Sequence, residues 1–202
     1  ITGSPSNLAE VNHYVFGGRR DFTKPFRALV AGGGTGDAAI MLAQQLADAG
    51  QGGEVVYTDI SRASRDIAES RAAVRQLDNI TFHSHPIEAL EPGLLGTFDY
   101  IDCCGVLHHL ADPAAGLSTL KGCLADDGGM GLMVYGTYGR TGVYHVQEML
   151  GTLDRGEGHH DRLALARRLL SALPKTNWFQ RNTAVQDHFE GGEAGLYDLL
   201  LH

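Results

Sequence analysis

Residues 28–50 read ALVAGGGTGDAAIMLAQQLADAG. A short apolar run, Ala28 to Ala31, breaks into Gly32, Gly33, Gly34 and Gly36. A helical pattern follows, with Ala39, Leu42, Ala43 and Leu46 on one face and Gly50 as its stop. Strand, bare turn and helix in that order form the opening unit of a parallel α/β sheet. The alternation repeats downstream. Strands are predicted over Ala28 to Ala31, Glu54 to Thr58, Ile80 to Ser84, Phe98 to Cys103 and Met130 to Tyr135, with helices between them. The first helix is predicted from about Gly36 to Ala49. Ser61 is placed to cap a second helix that ends near Asp78 and Asn79. Asp112 precedes Pro113, starting a third that carries Leu117, Leu120 and Leu124 to a stop at Gly128 and Gly129. The fold class is α/β: a doubly wound, mostly parallel sheet with helices on both faces.

Composition narrows the function classes. Across 202 residues, 43% are hydrophobic and 20% charged, which suits a folded core and excludes a disordered chain. A formal charge of -8 disfavours a nucleic-acid partner, which wants a clustered basic face. The arginines between Arg62 and Arg75 are interleaved with Asp66 and Glu69 and read as a solvated helix face. No apolar run approaches the roughly 20 residues of a membrane span, and no signal-peptide pattern opens the chain, so a cytoplasmic protein is expected. Cys103, Cys104 and Cys123 form no CxxC pair and suggest neither a disulfide framework nor a zinc site. His83 with His85, and His159 with His160, have no third ligand at a telling spacing, so no metal is expected.

Outside the alternating region the pattern changes. Residues 1–25 hold the cluster Tyr14-Val15-Phe16 and a Gly17-Gly18 break, and read as an N-terminal segment that folds back over the sheet's edge. After Tyr135, two helical stretches, about Val143 to Leu153 and Asp161 to Leu173, flank the polar linker Asp154 to His160, and Pro174 ends the second. The domain reading is a segment 1–25, a core 26–136 and a helical extension 137–202, with a further segment or domain expected beyond His202.

The glycine turn sits where a doubly wound sheet lets a ligand touch backbone. Asp59, at the end of the second strand, is an acid that can accept two hydrogen bonds from a ribose hydroxyl pair. Two cofactors compete for that arrangement. Gly34-x-Gly36-x-x-Ala39 is an acceptable dinucleotide fingerprint, with its acid about 20 residues on. Gly32-x-Gly34-x-Gly36 has the spacing found in S-adenosylmethionine-dependent methyltransferases. The glycines alone fit both. A common solution in single-domain dehydrogenases is a Tyr-x-x-x-Lys pair, and no tyrosine here has lysine four positions later.

The stretch Thr97 to Pro113, TFDYIDCCGVLHHLADP, adds the discriminating motif. It resembles the fourth-strand motif of class I S-adenosylmethionine-dependent methyltransferases: Phe-Asp, an apolar run, then a Leu-His-His-Leu-like segment before Asp-Pro. With Ala31 to Gly36, Thr58 to Ser61 and Ala125 to Met130 in order, the resemblance covers about residues 26 to 136 and implies a Rossmann-like fold. The later stretch Val134 to Tyr144 resembles bacterial members of unassigned substrate. The resemblance implies S-adenosylmethionine as cofactor, S-adenosylhomocysteine as product, and methyl transfer by in-line displacement to an unidentified acceptor, a small molecule or a protein. It places Gly32, Gly33, Gly34 and Gly36 in the loop that passes the methionine moiety, and Asp59 on the ribose hydroxyls. Ile60 falls against adenine. His85, Pro86 and Ile87 fall in the turn that wraps the adenine edge, and Cys104 and Gly105 under the reactive methyl. Two positions depart from the family pattern. Val30 stands where an acid often precedes the first glycine by two positions, and the turn after strand three has Pro86 in place of a frequent aspartate.

Displacement at a sulfonium needs a base only when the acceptor arrives protonated. His108, His109 and Tyr138 are the candidates for that role; the two histidines equally suit a turn in which both rings satisfy backbone groups. Tyr138, Arg140, Tyr144 and His145 suit an acceptor pocket or ordinary loop and helix-start chemistry. The alternative functions are a nicotinamide-dependent oxidoreductase using the same turn, and a catalytically silent nucleoside-binding module.

Overall fold

Five strands, β1 (Phe26–Ala31), β2 (Gly53–Thr58), β3 (Ile80–His83), β4 (Phe98–Cys104) and β5 (Leu124–Met133), form one sheet in the order β3-β2-β1-β4-β5. Every neighbouring pair is parallel. The computed structural model describes residues 7–50, 52–153, 156, 158–183, 185 and 191–201. The chain divides into two units, residues 1–134 and 135–202.

The first unit is the doubly wound sheet that the alternation predicts. On one face, α1 (Leu8–Phe16), α2 (Asp37–Ala49) and α3 (Arg62–Val74) cover a core that includes Val11, Leu42, Leu46, Ala68, Val30 and Tyr100. On the other, α5 (Pro113–Gly122) and the turns before it cover Leu29, Val56, Ile101, Cys103 and Leu120. α2 buries its predicted stripe together with Ile40, and each Leu or Ile removed from water adds about 1.5–3 kcal/mol. The predicted caps form. The Ser61 hydroxyl accepts from the Ser64 amide, and the Asp112 carboxylate accepts from the amides of Ala114 and Ala115. A short helix, α4 (Pro92–Leu95), precedes β4.

Several boundaries differ from expectation. α3 ends at Val74, because Gln76 turns to a φ of 56° just beyond it. α5 stops at Gly122 and the chain enters β5 at Leu124, so the acidic, glycine-rich run read as a helix stop lies within a strand. The ladder steps from Phe98–Leu124 to Tyr100–Gly129, and the residues between bulge out. A Cβ on Gly128 would lie 2.9 Å from the Phe98 carbonyl, so only glycine lets the bulge close on β4. β5 then ends at Met133 rather than Tyr135.

The N-terminal segment is built into this unit. Leu8 and Val11 of α1 join the core, and Asn12 exchanges hydrogen bonds with the Arg20 backbone. The Arg20 guanidinium reaches Asp99 at 2.8 Å, while the other Asp99 oxygen accepts from the Arg27 amide at 2.7 Å. One half-buried carboxylate thereby ties the segment to the starts of β1 and β4.

The second unit packs α6 (Thr141–Leu153), α7 (His159–Ala172), α8 (Trp178–Arg181) and α9 (Gly192–Leu200) around Val143, Val146, Leu163, Phe179 and Leu199. Arg140, 8% exposed, is part of this core: its guanidinium lies 3.6 Å from the Tyr135 ring centre and reaches the Leu199 carbonyl. The predicted linker residues Asp154, Arg155 and Glu157, and His202, lie outside the described residues, as does the side chain of His159.

Candidate functional site

β1 has β2 on one side and β4 on the other, so the connections leave it in opposite directions and open a crevice at the strands' carboxyl ends. A cleft of about 830 Å³ occupies that place, its lining including Val30, Gly32, Gly33 and Gly34 from β1 and its turn, Asp102 and Cys104 from β4, and Met133 from β5. α2 contributes Ala38, Met41 and Gln44, α3 contributes Arg71, and Arg75 follows just beyond its end.

The glycine turn is held by the fold itself. The Thr58 carbonyl accepts from the amides of Gly32 and Gly33 at 2.8 and 3.0 Å, and the Gly33 carbonyl accepts from Gly36 at 2.9 Å. The Gly34 amide donates to Asp59 Oδ2 at 2.8 Å, while the Tyr57 hydroxyl donates to the Gly34 carbonyl at 2.6 Å. Asp59 Oδ1 accepts from Ser61 at 2.7 Å, fixing the carboxylate between the turn and the start of α3. From outside, Arg71 binds the Thr35 carbonyl and Asp37.

Three of the four glycines answer to side chains of the protein. A Cβ on Gly32 would meet Val106 at 2.5 Å, one on Gly33 would run into the Tyr57 ring, and one on Gly36 would meet Ala68 at 2.7 Å. Gly34 differs: at a φ of 52° it opens onto space.

Gly32, Gly33, Gly34 and Cys104 thus meet at one cleft, and Asp59 lies one hydrogen bond from it. Ile60, beside Asp59, is 78% exposed and offers an apolar surface at the same strand end. Pro86 is exposed and caps a 3-10 turn, Ile87–Ala89. The Ile87 side chain is buried in the core with Leu90 and Leu107, so only its backbone faces the turn. Gly105 has a φ of 78° and donates to the Met133 carbonyl. Gly36 packs α2 against α3 rather than lining the cleft. His108 and His109 form a 3-10 turn outside the cleft lining, their rings 4.1 Å apart, with both ring nitrogens of His108 closed off from solvent. Tyr138 belongs to the second unit, where it is 95% exposed; there His145 lies against Trp178.

Sequence reasoning missed Tyr57 and Asp102. Tyr57 is buried among apolar neighbours, and its sequence signal is that of a strand residue; burial, and then the Asp59 charge, push its hydroxyl up, so it stays protonated and donates. Asp102 is 2% exposed. Burial pushes its carboxyl up to about 6, and hydrogen bonds from Tyr100 and Cys104 pull it partly back. Its signal was present: a lone acid inside the apolar run Tyr100-Ile101-Asp102-Cys103-Cys104 contradicts the composition of a buried parallel strand. Cys103 is pushed up to about 12 by burial and is a packing thiol. The His83 imidazole is pushed down by burial, then by His85. Among the described residues no group of three metal-ligating side chains forms.

A family model described as a methyltransferase domain matches residues 29–130. An uncharacterized protein of Synechococcus sp. is 35% identical over 77% of this chain and 37% of its own length. The tRNA 5-carboxymethoxyuridine methyltransferase of Escherichia coli K12 is 32% identical over 56% of this chain and 41% of its own. The chain therefore spans well under half the length of either relative. Among solved structures, PKMT2 from Rickettsia typhi in complex with AdoHcy superposes on all of this chain and 39% of that one, with a TM-score of 0.72 at 19% identity, a likeness of fold. Sheet order, glycine turn, strand-end acid and a family match over half the residues agree: the chain belongs to the methyltransferase-domain family, of the class I type its motifs resemble.

Proposed function

We propose that this chain binds S-adenosylmethionine at the β1–β4 crevice and transfers its methyl group to an acceptor, residues 26–136 forming the binding core. One observation favours this ligand over a dinucleotide. The amides of Gly32, Gly33, Gly34 and Gly36 are all spent on acceptors within the protein, so they form no cradle for a pyrophosphate. A sulfonium centre is no acceptor for such donors; it asks for clearance, which Gly34 supplies. Asp59 keeps a spare lone pair on each oxygen after serving Gly34 and Ser61, enough for two ribose hydroxyls. The exposed Ile60 would lie under adenine.

When bound, the cofactor supplies a sulfonium methyl carbon to which the acceptor's lone pair bonds as the carbon–sulfur bond breaks, releasing S-adenosylhomocysteine. The protein's part is to hold the two partners in line and exclude water. We assign no catalytic base to His108, His109 or Tyr138. The chain's acidity favours a small-molecule or protein acceptor, whereas the Escherichia coli relative is named for tRNA. No helix among the described residues is long and apolar enough to cross a membrane.

Thermal shift with S-adenosylmethionine, S-adenosylhomocysteine and NAD tests the reading. A ligand at 100 times its Kd adds about 2.7 kcal/mol, so the first two are expected to raise Tm by about 5 °C or more. Stabilisation by NAD alone refutes it. Labelled-methyl transfer in a cell extract, followed by protease or nuclease digestion, then assigns the acceptor class.

A further inference from the structure

Asp102 stands apart from every other carboxylate of the first unit. The β1–β4 register sets it directly beside Val30, on the sheet face that Tyr100 and Val30 share, and both line the cleft with Gly32 and Cys104. Its partner across the β4–β5 ladder is Gly131, which brings no side chain to the place. At 2% exposure, the ionised carboxylate has lost nearly all its hydration. The Tyr100 hydroxyl donates to it from 3.4 Å, and the Cys104 thiol adds a second, weak donor. A buried charge of this kind is tolerated where a function uses it, and it repels an anionic ligand while favouring a cationic one.

The second carboxylate lining the cleft, Asp37, is solvent-exposed and tied to Arg71 at 2.6 Å. Asp102 is the acid at the floor, one strand over from the position where the chain has Val30 instead of an acid.

We infer that Asp102 anchors the α-ammonium group of the cofactor's amino-acid arm, β4 supplying from beside Val30 the carboxylate that β1 lacks. The inference rests on the S-adenosylmethionine reading above and specifies which group selects the amino-acid arm. An ammonium is compact, carries three donors and matches a carboxylate that it can approach from the cleft. Asp102 is a binding and positioning residue. It would hold the end of the arm at the floor of the cleft, beside Cys104.

Calorimetric titration of the wild type and Asp102→Asn with S-adenosylhomocysteine and with its analogue lacking the α-amino group forms a closed cycle. The wild type is expected to bind S-adenosylhomocysteine at least about tenfold more tightly than the deamino analogue, and Asp102→Asn to lose that preference, holding the two within about twofold. A wild type that binds both equally overturns the inference, whatever the variant does. A variant that keeps the preference, or that weakens both ligands by the same factor, overturns it too, because the acid then acts on the fold. If the wild type binds neither ligand, the cofactor reading fails and this inference with it. Loss of discrimination in Asp102→Asn alone supports both.

Discussion

Removing the Asp59 side chain separates its structural work from its proposed work on a ligand. In Asp59→Ala the Gly34 amide loses an acceptor at 2.8 Å and the Ser61 amide one at 2.7 Å. Hydrogen bonds to a charged group contribute about 1.5–3 kcal/mol each, and the half-buried position lets water replace part of that. A loss of about 2–3 kcal/mol follows, which for a chain of this size lowers Tm by about 5–10 °C. Asp59→Asn keeps one acceptor oxygen and sets an NH2 group against the other backbone donor, so its Tm is expected between those of wild type and alanine. Scanning fluorimetry of the three ligand-free proteins reads the structural part. Titration with S-adenosylhomocysteine reads the rest: the spare lone pairs that would serve the ribose vanish with the carboxylate, and Kd is expected to rise by about 10- to 100-fold. An alanine variant within about 1 °C of wild type refutes the latch between the turn and α3. A lowered Tm with unchanged affinity refutes the ribose contact and leaves the acid a device of the fold.

Two further outcomes follow from the same geometry. Gly33→Ala drives a methyl into the Tyr57 ring and is expected to destabilise the protein by about 1–3 kcal/mol, whereas Gly34→Ala points into open space at a φ of 52°, costs about 1–2 kcal/mol of backbone strain, and weakens cofactor binding more than it lowers Tm. Equal ratios of binding loss to Tm loss in the two variants would contradict that division. The third concerns pH. Asp102 is raised from its ordinary 3.8 to about 6 by burial, so its contribution to stability is fully present below pH 3.8 and is lost as pH rises through about 6. The ligand-free wild type at pH 7 therefore stands about 3 kcal/mol below where a neutral side chain would leave it. The denaturation difference between Asp102→Asn and wild type should grow over that window and reach its plateau near pH 7. A difference independent of pH would show that the carboxyl does not titrate there. Tyr100, its neighbour on β4, is pushed further up by burial and stays neutral throughout the window.

Much of the first unit was legible along the chain. The alternation of apolar runs and helical stripes gave five strands in their order, and Ser61, Asp112-Pro113 and Gly50 act at helix ends as local chemistry dictates. β5 misled because an acidic pair and two glycines are strong breakers locally; the ladder to β4, long-range in sequence, turns them into a bulge. The N-terminal segment shows locally only as one that folds back, since the Arg20 clamp onto Asp99 and the burial of α1 in the core join residues far apart in the chain. Arg140, read as a candidate for an acceptor pocket, is occupied by Tyr135 and the Leu199 carbonyl in the second unit.

By itself the sequence determined the kind of sheet, the place of the glycine turn and the strand-end acid, because periodicity, breakers and caps act over one or two turns of chain. It did not determine what those residues face. Only the tertiary structure decided that the turn's amides are spent inward on Thr58 and Asp59, that three of its glycines clear Val106, Tyr57 and Ala68, and that Asp102 stands beside Val30 at the floor of the cleft. Strand register and close packing bring those groups together across long sequence separations, and no local pattern encodes them.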